Sequence, residues 1–198
     1  MPETFATPAK KSDRDFRSGR IDALDSVLSI VDIQEKFASH IDQWETMVEH
    51  TRKLIRAASL LEIPILVTEQ YPKGLGRTVV EVEAIIPVFA PIEKTAFGCF
   101  GEPIYISAVE ALKRKTLVLC GIETHVCMLQ TALDALGRGY RVAIPIDATS
   151  SRAESNKNLA IERMRAAGAT IASVEMIVME WLADAQHPRF KEAQALIK

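Results

Sequence analysis

The chain has 198 residues, of which 48% are hydrophobic and 25% are charged, with a formal net charge of −2. This composition is that of a globular domain, and the charge argues against a dedicated nucleic-acid binder, which would present a basic face. No apolar run approaches the roughly 20 residues that cross a bilayer, and the polar N-terminus lacks a signal-peptide core. Three cysteines, an odd number, fit a reducing compartment better than a disulfide framework. We therefore expect a cytoplasmic protein without membrane or nucleic-acid partners.

Two regions differ in pattern along the chain. Residues 1–23 mix proline, threonine and charged residues without periodicity, which predicts a flexible N-terminal arm. Residues 24–198 are long enough for one domain of ordinary size and show regular hydrophobic patterning.

Within this domain, short apolar runs of strand length alternate with amphipathic helical patterns. The predicted strands cover residues 27–31, 63–68, 88–92, 116–120, 141–146 and 170–174. The predicted helices cover residues 44–61, 102–112, 124–137, 155–167, 176–183 and 188–197. Strands separated by helices form βαβ units, so we predict a three-layer α/β/α fold around a six-stranded parallel sheet.

Three chemically useful side chains lie where predicted strands end. Asp32 closes the first apolar run, Lys94 closes the third, and Cys127 follows the fourth at the start of a predicted helix. The C-terminal ends of parallel strands share one edge of the sheet, where ligands bind. A thiol in the first turn of a helix is favoured as thiolate by the helix dipole. A carboxylate, an amine and a thiol at this edge suit a cysteine hydrolase.

Each of these residues also has an ordinary structural interpretation. An aspartate after a strand often caps a turn, a lysine is commonly a solvated surface residue, and free cysteines are among the most buried residues. Cys120, inside an apolar strand, is interpreted as a core residue, and Cys99 either lines a pocket or packs. The coincidence of Asp32, Lys94 and Cys127 at one edge favours the functional interpretation.

Three segments carry a family resemblance. Residues 30–34 (IVDIQ), 94–97 (KTAF) and 121–127 (GIETHVC) resemble the signature segments of the isochorismatase-like cysteine hydrolases, which include nicotinamidases, N-carbamoylsarcosine amidohydrolase and isochorismatase. The resemblance covers residues 25–198 and implies the Rossmann-like isochorismatase fold. Residues 68–76 and 187–191 are similar to the isochorismatase-domain-containing branch.

The resemblance also implies roles for individual residues. Cys127 would attack a carbonyl carbon, Asp32 would accept the thiol proton and return it to the leaving group, and Lys94 would stabilise charge. A cis peptide bond is implied between Ile122 and Glu123. It would aim the N–H groups of Glu123 and Cys127 at the developing oxyanion.

The sequence departs from its metal-dependent relatives in one region. Nicotinamidases carry an Asp-x-His motif and a further histidine after the second strand, whereas residues 69–73 (EQYPK) contain no histidine. The histidines of the chain show no ligand spacing: His40, His50, His125 and His187. We therefore expect neither a metal nor another cofactor. The thiol favours cleavage of an amide or carbamoyl C–N bond of a small molecule through a thioester.

Other residues near the predicted site have less defined roles. Phe37, Tyr71 and Phe97 follow the strands closely and either line a small apolar pocket or pack in the core. His125 is expected to shape its loop, and Asp147 to cap a turn or lie at an interface.

A homo-oligomer, a dimer or tetramer, is expected on two grounds. The apolar C-terminal helices over residues 176–182 and 193–197 offer more hydrophobic surface than a small domain needs. Members of the resembled family are also usually oligomeric.

The sequence leaves two alternative functions open and disfavours a third. A non-catalytic binding protein could retain the fold, and a vinyl-ether hydrolase of the isochorismate type would need no thiol. A dinucleotide-binding enzyme is disfavoured because no G-x-G-x-x-G motif follows the first strand. Nothing in the sequence identifies the substrate.

Overall fold

The structure is a computed structural model, and it describes residues 19–197. Its centre is a six-stranded, all-parallel sheet in the order β3-β2-β1-β4-β5-β6. The strands are β1 (Ser26–Val31), β2 (Ile65–Gln70), β3 (Ile92–Lys94), β4 (Thr116–Gly121), β5 (Arg141–Pro145) and β6 (Thr170–Ala172). The predicted three-layer α/β/α architecture with six parallel strands is confirmed.

Eight α-helices connect and cover the strands in the described part of the chain. They are α1 (Trp44–Leu60), α2 (Pro72–Leu75), α3 (Val80–Glu83), α4 (Pro103–Ala111), α5 (Leu129–Gly137), α6 (Glu154–Ala166), α7 (Val174–Leu182) and α8 (Phe190–Ile197). Among residues 19–197, none is both long enough and apolar enough to cross a membrane.

Two hydrophobic cores lie on opposite faces of the sheet. Alternate side chains of a strand point to opposite faces, so Leu28 and Ile30 of β1 enter one core while Val27 and Val31 enter the other. The first core packs under α1, α7 and α8, and the second under α4, α5 and α6. Both faces of the central strands are therefore covered, which explains their continuous apolar runs.

The third strand is misplaced in the sequence prediction. Residues 88–91 of the predicted strand lie in a loop where Val88 is 80% exposed, and β3 covers only Ile92–Lys94. Proline lacks the N–H that a strand donates, so Pro91 favours a strand that starts after it. The correction places Lys94 within the edge strand, paired in register with Gln70 of β2.

The N-terminal arm was predicted to extend to residue 23. Residues 1–18 lie outside the described part of the chain. Ile21 is already buried in the first core, and its N–H donates a hydrogen bond of 2.6 Å to the Glu180 carboxylate. The packed region therefore includes residues before 24.

The C-terminal helices do not leave the apolar surface that was expected of them. Helix α7 buries five residues in the chain's own core: Val174, Ile177, Val178, Trp181 and Leu182. Helix α8 buries Ala193, and its other apolar side chains pack against the same core. Met176 remains about half exposed. The expected basis for oligomerisation was wrong, because α1 and the sheet already cover these faces.

The strand order creates a crevice between β1 and β4. From these neighbours the chain continues to opposite sides of the sheet, first to β2 and β3 and later to β5 and β6. In open α/β sheets ligands bind at such a point, beyond the C-terminal ends of the strands. Asp32 directly follows β1, and Gly121 ends β4 a few residues before Cys127.

Gly121 is required where β4 passes β1. Its φ is +116°, and a Cβ at this position would lie 2.1 Å from the Val31 carbonyl oxygen. Both conditions exclude a side chain, because φ in this range strains L-residues and the contact is with backbone that cannot move aside.

We predict that Gly121→Ala destabilises the protein by about 3 kcal/mol or more, since backbone strain and overpacking add. The free energy of unfolding from urea titrations measures the effect. Gly137→Ala is the matched control, because a Cβ there has no neighbour within 4 Å. The control should be neutral or slightly stabilising. Equal stability of the two variants would contradict the close approach of β4 and β1.

Candidate active site

Asp32 lies at the C-terminal end of β1, with 1% of its surface exposed. Its φ of +53° is in the left-handed region, which aspartate tolerates better than most residues. One carboxylate oxygen, Oδ1, accepts a hydrogen bond of 2.7 Å from the Thr68 hydroxyl. The other, Oδ2, accepts one of 2.7 Å from Lys94 Nζ. These bonds compensate for burial of the charge.

The Lys94 ammonium reaches Asp32 from β3 across the intervening strand β2. It donates to Asp32 Oδ2 and Gln70 Oε1, each at 2.7 Å. The carbonyl oxygens of Ala96 and Phe97 also accept from it, at 3.2 and 3.0 Å. Burial is the largest single influence and would lower the pKa of Lys94, but the charges of Asp32, Cys127 and Cys99 and the hydrogen bond to Asp32 together raise it. The amine is therefore held as a cation whose three protons all have protein acceptors.

Two glutamines orient Lys94, and sequence reasoning did not assign them this role. Gln34 Oε1 accepts from the Gln70 N–H at 2.7 Å, and Gln34 Nε2 donates to the Gln70 carbonyl at 3.0 Å. Gln70 Nε2 donates to the Thr95 carbonyl, which leaves Gln70 Oε1 directed at Lys94. Gln34 lies in the segment 30–34 and Gln70 in the segment 69–73, both noted in the sequence analysis. A polar amide next to a predicted buried charge was the signal that could have indicated their role.

Cys127 lies in a single π-helical turn, Thr124–Met128, which continues into α5. Its side chain is nearly buried, with 7% of the residue exposed. Burial first, and then the Asp32 carboxylate, raise the pKa of this thiol well above its ordinary value. The Lys94 ammonium acts in the opposite direction and offsets only part of the rise. The direction is opposite to the one expected from the helix N-terminus alone.

The other two cysteines are fully buried. Cys99 Sγ lies 3.9 Å from the Thr68 hydroxyl, and this hydroxyl donates a hydrogen bond to Asp32. Cys99 therefore packs next to the proposed triad. Burial raises the pKa of Cys99 to about 11 and that of Cys120 to about 12. Cys120 belongs to the first hydrophobic core, as expected.

The turn before Cys127 has an unusual backbone. The peptide bond between Ile122 and Glu123 is cis, the form that the family resemblance implies. The N–H groups of Val126 and Met128 both donate to the Glu123 carbonyl, whereas that of Cys127 makes no such bond. We call residues 121–128 the cysteine turn.

The Glu123 side chain is paired with Arg152. The Arg152 backbone N–H and Nε each donate to Glu123 Oε2 at 3.0 Å, and Nη2 donates to Oε1 at 2.6 Å. Burial would raise the pKa of Glu123, but the hydrogen bonds from Arg152 outweigh it and lower that pKa. Glu123 is thus held as an anion engaged with Arg152, so its side chain is not a candidate general acid.

The three predicted pocket residues occupy different places. Tyr71 and Phe97 are both more than half exposed, whereas Phe37 is partly buried against the first core. Tyr71 and Lys94 line a cavity of about 350 Å³, together with Pro72, Lys73, Glu93, Thr95 and Glu102. Neither Phe37 nor Phe97 is among the residues that line this cavity.

Metal-binding groups are absent from the described region: residues 19–197 contain no cluster of three or more His, Cys, Asp or Glu side chains placed to hold an ion. His125 Nδ1 lies 2.9 Å from the Ser151 hydroxyl, and His50 Nδ1 lies 3.1 Å from Asp147 Oδ2. Asp147 also accepts from the Val174 N–H at the start of α7. Each of these residues therefore makes structural contacts within the chain.

Comparison with known proteins identifies the family. A model of the isochorismatase domain matches residues 26–176. Isochorismatase domain-containing protein 2A from Mus musculus is 41% identical over 188 residues, which is 91% of this chain and 86% of that protein.

Solved structures agree with this fold. The structure of a MAR1 ribonuclease from Caenorhabditis elegans has a TM-score of 0.85 and 41% identity, covering 90% of this chain and 92% of that one. That of the YcaC gene product from Escherichia coli, described as an octameric hydrolase of unknown specificity, has a TM-score of 0.81. It is 23% identical and covers 90% of this chain and 95% of that one.

We predict that Cys127 is the first of the three cysteines to be alkylated by iodoacetamide in the folded protein. It retains 7% exposure, whereas Cys99 and Cys120 have none, and raised pKa values slow all three thiols. Peptide mapping by mass spectrometry at pH 8 measures the order, with Cys127→Ala as the control. Earlier labelling of Cys99 or Cys120 would contradict the prediction that Cys127 is the most accessible of the three thiols.

Proposed function

The chain belongs to the isochorismatase domain family of cysteine hydrolases, and on this basis we propose that it cleaves a C–N bond of a small amide or carbamoyl compound. Asp32, Lys94 and Cys127 form the proposed triad, and a thioester on Cys127 is the proposed intermediate. The observation that carries the proposal is the hydrogen-bonded Asp32–Lys94 pair, buried beside the thiol.

The first half of the reaction forms the thioester. The Cys127 sulfur attacks the carbonyl carbon while its proton passes to Asp32, which lies within the electrostatic reach of the thiol. Negative charge develops on the carbonyl oxygen, near the N–H groups of Glu123 and Cys127. Asp32 then donates its proton to the departing nitrogen, and the C–N bond breaks.

The second half regenerates the enzyme. Water attacks the thioester carbonyl carbon and transfers a proton to Asp32, the carbon–sulfur bond breaks, and Cys127 recovers that proton. Lys94 remains protonated throughout, because all its protons have acceptors and its pKa is raised. Its role is to stabilise the Asp32 carboxylate and to favour negative charge on sulfur.

A cavity next to the proposed triad supports a small substrate, although Lys94 is the only triad residue among those that line it. The cavity beside Lys94 measures about 350 Å³, near the lower end of ligand pockets. It combines Tyr71 and Pro72 with the charged residues Lys73, Glu93 and Glu102. A polar small molecule fits this lining better than an extended polymer, and no step of the proposed reaction uses a metal or cofactor.

RNA hydrolysis is the competing activity, because the similar C. elegans chain carries the name ribonuclease. A phosphodiester substrate would require a cation that contacts the phosphate at the reacting atom. Among the described residues, Lys94 is the cation that acts on the charge of the thiol, and it is buried and directs its protons to protein acceptors. These contacts make Lys94 unavailable to a phosphate and so favour the small amide substrate.

We predict that Asp32→Asn, Lys94→Met and Cys127→Ala each reduce turnover by about a thousandfold or more, because groups that act as a unit fail together. A panel of amides, carbamoyl compounds, ureides and an RNA oligonucleotide is assayed with EDTA present, which should not alter the rate. Circular dichroism must accompany each variant, since breaking a buried ion pair can cost about 3–5 kcal/mol. Near-normal turnover by folded Asp32→Asn would contradict the proposed base, and turnover of RNA alone would contradict the substrate class.

We also propose that the protein is a homo-oligomer. Its apolar surface in the described region includes Tyr71, Phe97 and Ile104, each more than half exposed. The YcaC gene product, which has a similar fold, is octameric. We predict a mass of at least two chains by light scattering at micromolar concentration. A single species near 21.9 kDa would contradict it.

A further inference from the structure

The segment after β5 makes a continuous set of contacts with the cysteine turn. We call residues 148–152 the clamp segment. Hydrogen bonds near Gly121 and Thr124 join it to the turn: Gly121 N–H to the Ala148 carbonyl, Ser150 N–H to the Gly121 carbonyl, Thr149 Oγ1 to the same carbonyl, and Thr124 N–H to the Ser150 carbonyl. The hydroxyls of Thr124 and Thr149 also lie 2.9 Å apart.

The same segment is fixed to the rest of the crevice. The Ser150 hydroxyl donates to the Asp42 carbonyl at 2.6 Å, and the Asp42 N–H donates to the Ser151 carbonyl at 3.1 Å. Asp42 precedes α1 in the connection that leaves β1 after Asp32. The clamp segment therefore links the cysteine turn to the part of the chain that carries the proposed base.

Two further contacts join the clamp segment to the turn: the Ser151 hydroxyl lies 2.9 Å from His125 Nδ1, and Arg152 bonds Glu123. Arg152 is 63% exposed, yet three of its N–H groups bond the carboxylate of Glu123, which is 5% exposed. In the described residues, Arg152 provides every hydrogen bond that this carboxylate accepts, and His125 is the further group that acts on its charge. The two-pronged geometry fixes direction as well as distance, which a single ammonium could not do.

We propose that Arg152 is a positioning residue for the hydrolysis: through the Glu123 carboxylate it holds the backbone N–H groups of Glu123 and Cys127 toward the substrate oxygen. This inference rests on the proposed cysteine chemistry. Arg152 would not touch the reacting atoms. Its effect would come from the turn, where the loss of one oxyanion donor lowers turnover by about 10²–10³-fold.

Two reactions of the same thiol separate this role from a general structural one. Acylation by p-nitrophenyl acetate forms a bond from Cys127 sulfur to the acetyl carbon, places charge on the carbonyl oxygen and releases p-nitrophenolate. Alkylation by iodoacetamide displaces iodide from carbon and develops no oxyanion. A residue that positions the oxyanion donors should affect the first reaction and leave the second unchanged.

The test compares Arg152→Met, Arg152→Lys and the control Arg189→Met. Arg189 is similarly exposed, at 54%, and forms an ion pair with Glu192 at the start of α8. We expect Arg152→Met to acylate Cys127 at least tenfold more slowly and to be alkylated within twofold of the unmodified protein. Arg152→Lys should restore only part of the acylation rate, and Arg189→Met should change neither reaction.

Equal acylation by Arg152→Met and Arg189→Met would overturn the inference, as would equal losses of acylation and alkylation. Full restoration by Arg152→Lys would overturn the need for a two-pronged contact. Failure of the proposed function has a different signature. In that case p-nitrophenyl acetate would acylate Cys127→Ala as fast as the unmodified protein, whatever the residue at position 152.

Discussion

The site depends on one buried ion pair, between Asp32 and Lys94 at 2.7 Å. Removing two charges from water is costly, and their attraction compensates only when further hydrogen bonds satisfy the remaining donors and acceptors. Here the Thr68 hydroxyl donates a hydrogen bond to the Asp32 carboxylate. The Lys94 ammonium donates to the Gln70 side chain and to two backbone carbonyls. The strand order β3-β2-β1 makes this possible, because Thr68 and Gln70 lie on the strand between the two charges.

Burial and the carboxylate of this pair together raise the pKa of the thiol beside it, while the Lys94 ammonium lowers it in part. A negative carboxylate and burial both oppose a second negative charge, so the resting site holds a thiol next to a carboxylate. In the proposed reaction this proton moves to Asp32 when sulfur attacks carbon. In this account Cys127 is the nucleophile because it is the most exposed of the three cysteines and because Asp32 lies close enough to act as its base. A depressed pKa plays no part.

The sequence predicted the layers and the edge of the sheet that carries the site, because long buried strands such as β1 and β4 leave unmistakable apolar runs. It misplaced β3, a three-residue edge strand whose pattern is too short to recognise. The contacts of Gln34 and Gln70 could not be predicted, since they depend on strand order, which alternation alone does not determine. The sequence prediction favoured a thiolate at Cys127, whereas burial and the Asp32 carboxylate raise the pKa of this thiol.

The most direct measurement is the pH dependence of Cys127 alkylation by iodoacetamide in the unmodified protein and in Asp32→Asn. Asparagine removes the negative charge that raises the thiol pKa. It also removes the charge that raises the Lys94 pKa, so the two proteins are compared below the pH at which the Lys94 amine loses its proton. The account predicts that the midpoint of alkylation moves to lower pH in Asp32→Asn, even though this variant loses turnover. A midpoint that stays in place or moves to higher pH would contradict the claim that the Asp32 carboxylate raises the pKa of Cys127.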